Sequence, residues 1–480
     1  MNLLDNSLLK SQCYIGGKWV DGEETISVTN PATMEVVGSV PKLGEKETRL
    51  AIEYADDIVP KLRAMTSHQR ADLLHKWVSL IHEHKMDLAV IMTTEQGKPF
   101  SESIGEIDYA ASYLTWFAEE GKRSYGRQIP TPVANQRLLV TKEPIGVCAA
   151  ITPWNFPAAM ITRKVGAAFA AGCPLVLKPA SETPLTALAL ADLAQKAGIP
   201  EGAFSVVTGV SSKIGAEMTS NPIVKKLSFT GSTSVGVILM ADCSSTMKKL
   251  SLELGGSAPF VVFEDADITQ AVAGAMTSKF RNGGQTCVCA NRFYVHESVF
   301  ESFVEQLVQS MRHIKVGNGL DSSVTQGPLI DIKSANKVKA LVDDAVDKGA
   351  LVVIGGQQTQ TDSCFFEPTL LVNIDDSMDI AHEEIFGPVV AVMSFRSDEE
   401  ALSLSNNSEY GLAAYFYTKN HARALNFAEK LSAGMVGINT GMISNAVAPF
   451  GGVKQSGIGR EGGREGLEEY QNIKYICSSF

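Results

Sequence analysis

Between residues 145 and 254, short apolar runs alternate with helical patterns of about a dozen residues. One helical pattern starts at Thr183 and Pro184 and ends at Gly198, which are typical boundary residues. This alternation predicts βαβ units and a parallel sheet. Ligands of such sheets bind where the strands end at their carboxyl termini. We therefore expect site residues at positions 154–155, 178–181, 209, 231–232 and 253.

A second α/β series follows residue 289, with helical patterns at about 298–314, 398–407 and 420–432 and strand-like runs at 351–354, 389–395 and 435–438. Upstream, helices are predicted at about 45–62, 68–94 and 101–120, the second bounded by Ser67 and by Gly97 and Pro99. We predict one domain from 1–121 and 143–252 and a second from 253–445. The stretches 122–142 and 460–480 are interpreted as strands of a third, small region that forms an oligomer contact.

Composition narrows the class of protein. The 480 residues carry a net charge of −11 and contain no basic patch, which argues against a nucleic-acid partner. A few local arginines can still bind an anionic substrate. The eight cysteines are scattered, the first residues do not resemble a signal peptide, and the longest apolar run is too short for a bilayer. We expect a cytoplasmic protein with no membrane partner.

The loop around Cys287 is the first candidate for chemistry. Cys287 follows Asn282, Gly283, Gly284, Gln and Thr, whereas a structural cysteine usually lies among apolar residues. Glycine allows a positive φ and a close approach by another group. The pattern favours a nucleophile, whose thiol pKa of about 8.5 the site must lower. A small core residue in a turn is the alternative.

Two strand ends supply matching groups. Glu253 lies among apolar residues and glycines, surroundings that raise a carboxyl pKa and suit a general base. Asn155 is a neutral donor suited to an oxyanion hole. Taken singly, an ion-pair partner and a turn residue are the alternatives. The 231–233 segment, opening a helix, would supply backbone N–H groups to a pyrophosphate.

Two other patterns are set aside. The glycines of 457–462 match a dinucleotide fingerprint by letters, but they lack the preceding strand and the following βαβ unit. His82 and His84 are two residues apart and do not share a helical face, so we interpret them as a surface pair. No metal site is predicted.

Six motifs together resemble the aldehyde dehydrogenase superfamily: PWNFP at 153–157, FTGS at 229–232, LELGG at 252–256, GQTC at 284–287, EEIFGP at 383–388 and PFGG at 449–452. The resemblance implies an α/β fold with a Rossmann-type cofactor domain (1–121 and 143–252), an α/β catalytic domain (253–445) and a small β oligomerisation region. It also implies a homo-oligomer, a dimer or a tetramer.

The resemblance further implies that the Cys287 thiolate attacks an aldehyde, that Asn155 and the Cys287 N–H hold the oxyanion, and that Glu253 activates the water that releases the acid. Hydride would pass to NAD or NADP. The implied cofactor-binding residues are Thr152, Pro153, Trp154, Asn155, Lys178, Pro179, Ala180, Ser181, Gly209, Phe229, Gly231, Ser232, Leu254, Glu384 and Phe386. Among them, Glu384 would hold the nicotinamide ribose.

Within the superfamily, the segments 160–164, 279–282, 287–291 and 441–445 are most similar to bacterial NADP-dependent succinate-semialdehyde dehydrogenases. Arg163 and Arg281 would clamp the remote carboxylate of a short acid aldehyde, with Ser444 as a third donor. Surface charge is the alternative reading of the arginines, and glutarate semialdehyde is the competing substrate.

Three further expectations complete the sequence reading. Ser181 stands where an NAD enzyme often has an acid, so with Lys178 nearby we expect NADP preference and some NAD use. Cys289 is interpreted as a redox switch, because relatives use such a pair, with a packing residue as the alternative. A cofactor-free cysteine hydrolase or acyltransferase, and a non-catalytic binder, are the rival functions.

Overall fold

The computed structural model describes residues 1–480. The strands are β1 (Cys13–Ile15), β2 (Lys18–Val20), β3 (Thr25–Thr29), β4 (Val36–Pro41), β5 (Arg127–Ile129), β6 (Gln136–Pro144), β7 (Val147–Ile151), β8 (Leu175–Lys178), β9 (Phe204–Val206), β10 (Val224–Thr230), β11 (Lys249–Glu253), β12 (Ala258–Val262), β13 (Ala290–His296), β14 (Leu351–Ile354), β15 (Thr369–Val372), β16 (Val389–Phe395), β17 (Ala413–Tyr417), β18 (Met435–Ile438), β19 (Gly457–Ile458) and β20 (Gln471–Ser479).

The helices are α1 (Glu45–Ala64), α2 (Ser67–Glu83), α3 (Lys85–Gln96), α4 (Phe100–Gly121), α5 (Ala159–Ala171), α6 (Pro184–Lys196), α7 (Ser211–Ser220), α8 (Thr233–Cys243), α9 (Ile268–Phe280), α10 (Phe300–Met311), α11 (Ile332–Asp347), α12 (Asp398–Asn406), α13 (His421–Lys430) and α14 (Gly463–Glu468). No helix is long and apolar enough to cross a membrane.

The first large sheet confirms the predicted βαβ series. Its strand order is β19-β11-β10-β7-β8-β9-β1-β2, and β7 through β11 run parallel. The strand order reverses at β7, since β8 pairs with one edge of β7 and β10 pairs with its other edge. A crevice therefore opens at the carboxyl ends of β7, β8 and β10, where open α/β sheets bind ligands.

The second large sheet has the order β14-β15-β16-β13-β12-β17-β18 and is parallel apart from the edge strand β14. All seven strands fall between Ala258 and Ile438. The sequence had given no separate prediction for β12, β15, β17 or α11. The catalytic-loop segment 281–289 connects α9 to β13, so it stands at one end of this sheet.

One helix prediction was wrong. The pattern at 68–94 is two helices, α2 and α3, which meet at His84 with φ −97° and ψ 17°. The expected cap at Ser67 was also off by one residue, because α2 begins at Ser67 and Thr66 is its N-cap. Thr66 accepts a hydrogen bond from Gln69 N while the Gln69 side chain accepts one from Thr66 N, which is a capping box.

A small antiparallel sheet pairs β5, β6 and β20, so residues 127–144 and 471–479 lie side by side. Strand β20 is exposed along nearly its whole length. Before this tail, β19 pairs with β11 of the first sheet. Within it, α14 packs on α4 and α5, Glu468 pairs with Lys142 of β6, and Glu461 pairs with Arg163 and Lys164 of α5.

Candidate active site

The loop that carries Cys287 makes a sharp turn after α9. Asn282, Gly283 and Gly284 have φ values of 53°, 61° and 77°, in the left-handed region that glycine tolerates best. A Cβ on Gly284 would lie 2.2 Å from Gly387 O. The glycines are thus required by the turn and by the close approach of the 387 backbone, as the sequence predicted for this loop.

Cys287 stands between two cavities, and Met160 is the other residue that lines both. The larger has a volume of about 290 Å³ and is lined by Pro153, Trp154, Asn155, Met160, Thr230, Gly231, Ser232, Glu253, Leu254, Gly255, Cys287, Ser334, Lys337, Glu384, Ile385 and Phe386. The smaller is lined by Tyr109, Phe156, Ala159, Met160, Arg163, Arg281, Thr286, Cys287, Val288, Ser444 and Phe450. The thiol therefore lies where a ligand in the crevice of the first sheet and a ligand near the arginines would meet.

Asn155 is oriented by the catalytic loop. Its side chain is 3% exposed, and Nδ2 donates to Gln285 O at 3.0 Å. Reversing the amide would bring Oδ1 against that carbonyl, so the hydrogen bond fixes the orientation. An amide nitrogen has two N–H groups, and one remains free for a ligand. This geometry suits the predicted oxyanion donor.

Glu253 ends β11 and is 1% exposed, with no hydrogen-bond partner for either carboxylate oxygen. Burial, and then the nearby carboxylate of Glu461, raise the pKa of Glu253 well above its usual range, while Arg163 and Lys164 oppose the shift. An unpartnered buried carboxyl facing a cavity is free to exchange a proton with a bound water.

Glu461 holds the two cations next to Glu253. Arg163 Nε and Lys164 Nζ both pair with its carboxylate, and Lys164 also donates to Thr230 Oγ1 at 2.8 Å. Burial alone would raise the pKa of Glu461, but the two cations outweigh it and hold that pKa below its usual range. Arg163, which we predicted to bind the substrate carboxylate, lines the smaller cavity, and its Nε pairs with a Glu461 carboxylate that it shares with Lys164.

Arg281 differs from Arg163. It is half-buried, lies over the Phe156 ring at 5.2 Å and donates to Met442 Sδ at 3.1 Å. Arg281 forms no salt bridge, although its charge and that of Lys98 oppose the rise that burial causes in the pKa of Glu102. A guanidinium beside an aromatic ring and a thioether, without an acid, can take a ligand carboxylate. Ser444 lines the same cavity.

The thiol of Cys287 has a higher pKa than the sequence led us to expect. Burial raises it to about 12, Arg163 and Arg281 lower it, and Glu384 and Glu253 raise it further. The expected lowering does not occur in the free chain because burial outweighs the arginines.

The crevice fits a dinucleotide. The N-terminus of α8, after Gly231 and Ser232, has no side-chain cap, so its N–H groups are free for a pyrophosphate. Gly231 has no room for a Cβ, which would lie 2.4 Å from Phe229 Cζ. Trp154 and Phe386 meet edge to face at 5.6 Å on the wall of the larger cavity.

Not every predicted cofactor residue lines that cavity. Those outside it are Thr152, Lys178, Pro179, Ala180, Ser181, Gly209 and Phe229. Buried Lys178 donates to Pro179 O at 3.0 Å, and Ser181 is half-buried beside exposed Glu182. Gly209 has another reason to be glycine, because its Cβ would lie 2.0 Å from Leu43 O. Glu384 accepts from Gly256 N at 3.1 Å, and burial raises its pKa to about 7.

Sequence reasoning missed three groups of the site. Lys164 lies in the 160–164 segment but received no role, and Glu461 lies inside the glycine pattern that was set aside. Tyr109 lines the smaller cavity and carried no signal beyond an apolar helix face. No histidine lines either cavity: His296 contacts Ser298 and His382 contacts Asp376 O.

The comparisons with known proteins agree on one enzyme family. Residues 19–476 match the model of the aldehyde dehydrogenase family. The chain is 56% identical to a glutarate-semialdehyde dehydrogenase of Pseudomonas aeruginosa, covering 99% of each chain. It is 54% identical to an NADP⁺-dependent succinate-semialdehyde dehydrogenase of Escherichia coli, again covering 99% of each chain. The crystal structure of a succinate-semialdehyde dehydrogenase from Burkholderia pseudomallei superposes with a TM-score of 0.99, at 55% identity and full coverage of both chains.

Proposed function

The chain belongs to the aldehyde dehydrogenase family and is an NAD(P)-dependent aldehyde dehydrogenase, and we propose that it oxidises succinate semialdehyde to succinate with a preference for NADP⁺. The observation that carries the substrate proposal is Arg281, an arginine without an acid partner in a small cavity that opens on Cys287. Ser444 adds a hydroxyl donor. An anionic end held there leaves the aldehyde carbon at the thiol.

The proposed steps use the residues of the site. The Cys287 thiolate attacks the aldehyde carbon, and the oxyanion that forms accepts hydrogen bonds from Asn155 Nδ2 and the Cys287 N–H. When bound in the crevice, NAD(P)⁺ would supply the hydride acceptor that conversion of the thiohemiacetal to a thioester requires. Glu253 then takes a proton from the water that attacks this thioester, and the acid leaves as the thiol is restored.

The proposed cofactor site extends from Cys287 along the crevice. The α8 N-terminus would bind the pyrophosphate and Glu384 the nicotinamide ribose. Ser181 and Lys178 would bind the 2′-phosphate, and the NADP⁺-dependent E. coli relative supports NADP⁺ as the cofactor. We also expect some activity with NAD⁺, because the acidic side chain next to Ser181, that of Glu182, is exposed.

Glutarate semialdehyde is the alternative substrate, and similar relatives carry both names. It is one methylene longer, a difference worth about 1–3 kcal/mol in a pocket. We propose the shorter chain, since a substrate whose carboxylate binds Arg281 must also bring its aldehyde carbon to Cys287, and both residues line the smaller cavity.

Initial rates with succinate and glutarate semialdehydes, each with NAD⁺ and NADP⁺, test the proposal. We expect the highest kcat/KM for succinate semialdehyde with NADP⁺. Ser181→Glu should reverse the cofactor preference by charge repulsion. A higher kcat/KM for glutarate semialdehyde would transfer the assignment to that substrate, and unchanged NADP⁺ use in Ser181→Glu would move the phosphate site elsewhere.

We also propose that Cys289 is a redox switch. The two cysteines are two residues apart on the loop, and both thiols are free. Cys289 Sγ is buried against Lys279 O at 3.7 Å, so a bond to Cys287 needs the loop to rearrange, and such a strained disulfide would be easily reduced. Peroxide should inactivate the enzyme reversibly by thiol, and Cys289→Ala should lose that reversibility. Unchanged reversibility in the variant would make Cys289 a packing residue.

A homo-oligomer, dimer or tetramer, completes the proposal, with the small sheet of β5, β6 and β20 as the contact. We propose the cytoplasm as the location, because the eight free cysteines suit a reducing compartment.

A further inference from the structure

The backbone carbonyl of Asn155 is held by two buried donors. Lys98 Nζ donates to Asn155 O at 2.7 Å, and Asn282 Nδ2 donates to the same oxygen at 3.0 Å. Lys98 comes from the turn between α3 and α4, and Asn282 comes from the catalytic loop. The peptide of Asn155 is thus fixed from two elements that are far apart in the chain.

Lys98 is a costly residue to bury, and the fold neutralises it locally. It is fully enclosed, pairs with Glu106 Oε2 at 2.5 Å and lies over the Phe156 ring at 4.1 Å. The other Glu106 oxygen accepts from Ala158 N and Ala159 N at 2.9 and 3.2 Å, at the start of α5. The pair therefore ties α4 to both ends of the short segment 155–159.

The same helix junction also holds the catalytic loop. Gln96 Nε2 donates to Asn282 Oδ1 at 3.0 Å, and Asn282 N donates to Glu102 Oε2 at 2.7 Å. Asn282 Nδ2 donates to Gln285 O as well, the carbonyl that also accepts from Asn155 Nδ2. Asn155 and the loop of Cys287 are thereby bound to one rigid support.

We infer that Lys98, together with Glu106, is a positioning residue for the oxyanion hole. It touches neither cavity, and its effect passes through the Asn155 peptide. A side-chain amide can stabilise a developing oxyanion only if it is held in place before the reaction. The inference rests on the proposed role of Asn155 as the oxyanion donor.

The test is a double-mutant cycle read by single-turnover formation of NADPH from succinate semialdehyde. Lys98→Met with Glu106→Gln removes both charges together, so that neither is left buried alone. The pair should slow the single turnover by about 10- to 100-fold, less than loss of the donor itself, with little change in KM. In an Asn155→Ala background the same pair should add less than about threefold, because its effect needs the amide.

Lys226→Met is the matched control. Lys226 is also fully buried and lies over an aromatic ring, Tyr470, at 4.9 Å, but its partners Ser251 and Glu469 line neither cavity. Lys226→Met should change the single-turnover rate little, or should change it by the same factor with and without Asn155→Ala. If the Lys98 and Glu106 pair does not yield folded protein, Gln96→Met goes through the same cycle with an expected loss of about 3- to 10-fold, because it removes the hydrogen bond to Asn282 and the acceptor of Lys98 N.

The possible results separate the two claims. The positioning role would be overturned if the Lys98 and Glu106 substitutions slow the single turnover by the same factor with and without Asn155→Ala, or do not slow it at all. Either result would leave the proposed function in place. An Asn155→Ala enzyme with an unchanged single turnover would overturn both the oxyanion assignment and this inference. Loss of the Lys98 effect in the Asn155→Ala background would establish the positioning role.

Discussion

At the scale of single residues, charge placement separates the groups of the site. Glu253 has no hydrogen-bond partner, whereas Glu461 takes both Arg163 and Lys164. The two carboxyls therefore differ in pKa direction, one raised and one lowered. Such divergence is how one site provides a proton acceptor beside a permanent anion.

Substitutions of the two proposed catalytic residues Cys287 and Glu253 should block different steps of the reaction. Cys287→Ala should abolish aldehyde oxidation and leave cofactor binding intact, because only the nucleophile is lost. Glu253→Gln should form the first equivalent of NADPH and then slow in thioester hydrolysis. Stopped-flow absorbance measures both. Full turnover in Cys287→Ala would contradict the covalent mechanism.

The pH dependence follows from the two raised pKa values. The reacting forms are the Cys287 thiolate and the Glu253 carboxylate, and burial favours the protonated form of each. Raising the pH removes those protons, so kcat/KM and kcat should both increase between about pH 6 and pH 9. A pH profile of initial rates checks this. Rates that fall over that range would mean that these groups are already ionised or do not react.

At the scale of elements, the catalytic turn depends on backbone conformation more than on side-chain contacts. Gly284 combines φ 77° with a Cβ direction blocked by Gly387 O. Gly105 in α4 is the opposite case, since nothing lies within 4 Å of its Cβ position. The same substitution therefore has opposite expected effects at the two sites.

Gly284→Ala should destabilise the fold by about 1–3 kcal/mol and impair activity strongly, because it strains the loop that presents Cys287. Gly105→Ala should stabilise by up to about 1 kcal/mol, because alanine is the better helix former. Chemical unfolding and activity assays of both variants measure this. Equal stability of the two variants would contradict the described turn.

The sequence predicted the helices and strands better than the connections between them. The strands of the first sheet were predictable because each apolar run ends at glycine, proline or a polar residue. The break at His84 was not, because the helical pattern of α2 continues into α3. The catalytic cysteine was predictable from its polar, glycine-rich flanks. The cluster of Lys164 and Glu461 was not, since the two residues are 297 positions apart and meet only through tertiary packing.

At the scale of the whole molecule, the small sheet presents an unusual surface. Ile473 and Tyr475 of β20 are 73% and 59% exposed, and Phe480 follows at 81%. Exposed apolar side chains grouped on one strand mark an association surface. This supports the proposed role of the region as an oligomer contact.

Ile473→Lys with Tyr475→Lys should therefore shift the protein to a smaller assembly, because two buried charges would oppose the contact. Analytical ultracentrifugation measures the mass. Leu50→Lys, at an exposed position of α1, is the control and should leave the mass unchanged. An unchanged mass in the β20 variant would remove this sheet from the interface.

The proposed binding of the substrate carboxylate at Arg281 is tested most directly by a ratio of two kcat/KM values. This is the kcat/KM for succinate semialdehyde divided by that for butanal, measured in the unmodified enzyme and in Arg281→Ala. A charged hydrogen bond contributes about 1.5–3 kcal/mol, so the ratio should be about 10 to 150 in the unmodified enzyme. We expect Arg281 to contribute the larger share, because Arg163 also pairs with Glu461. In Arg281→Ala the ratio should fall toward one, mainly through loss of the acid aldehyde. Equal kcat/KM for the two aldehydes in the unmodified enzyme would contradict the carboxylate site and leave an aldehyde dehydrogenase with another substrate.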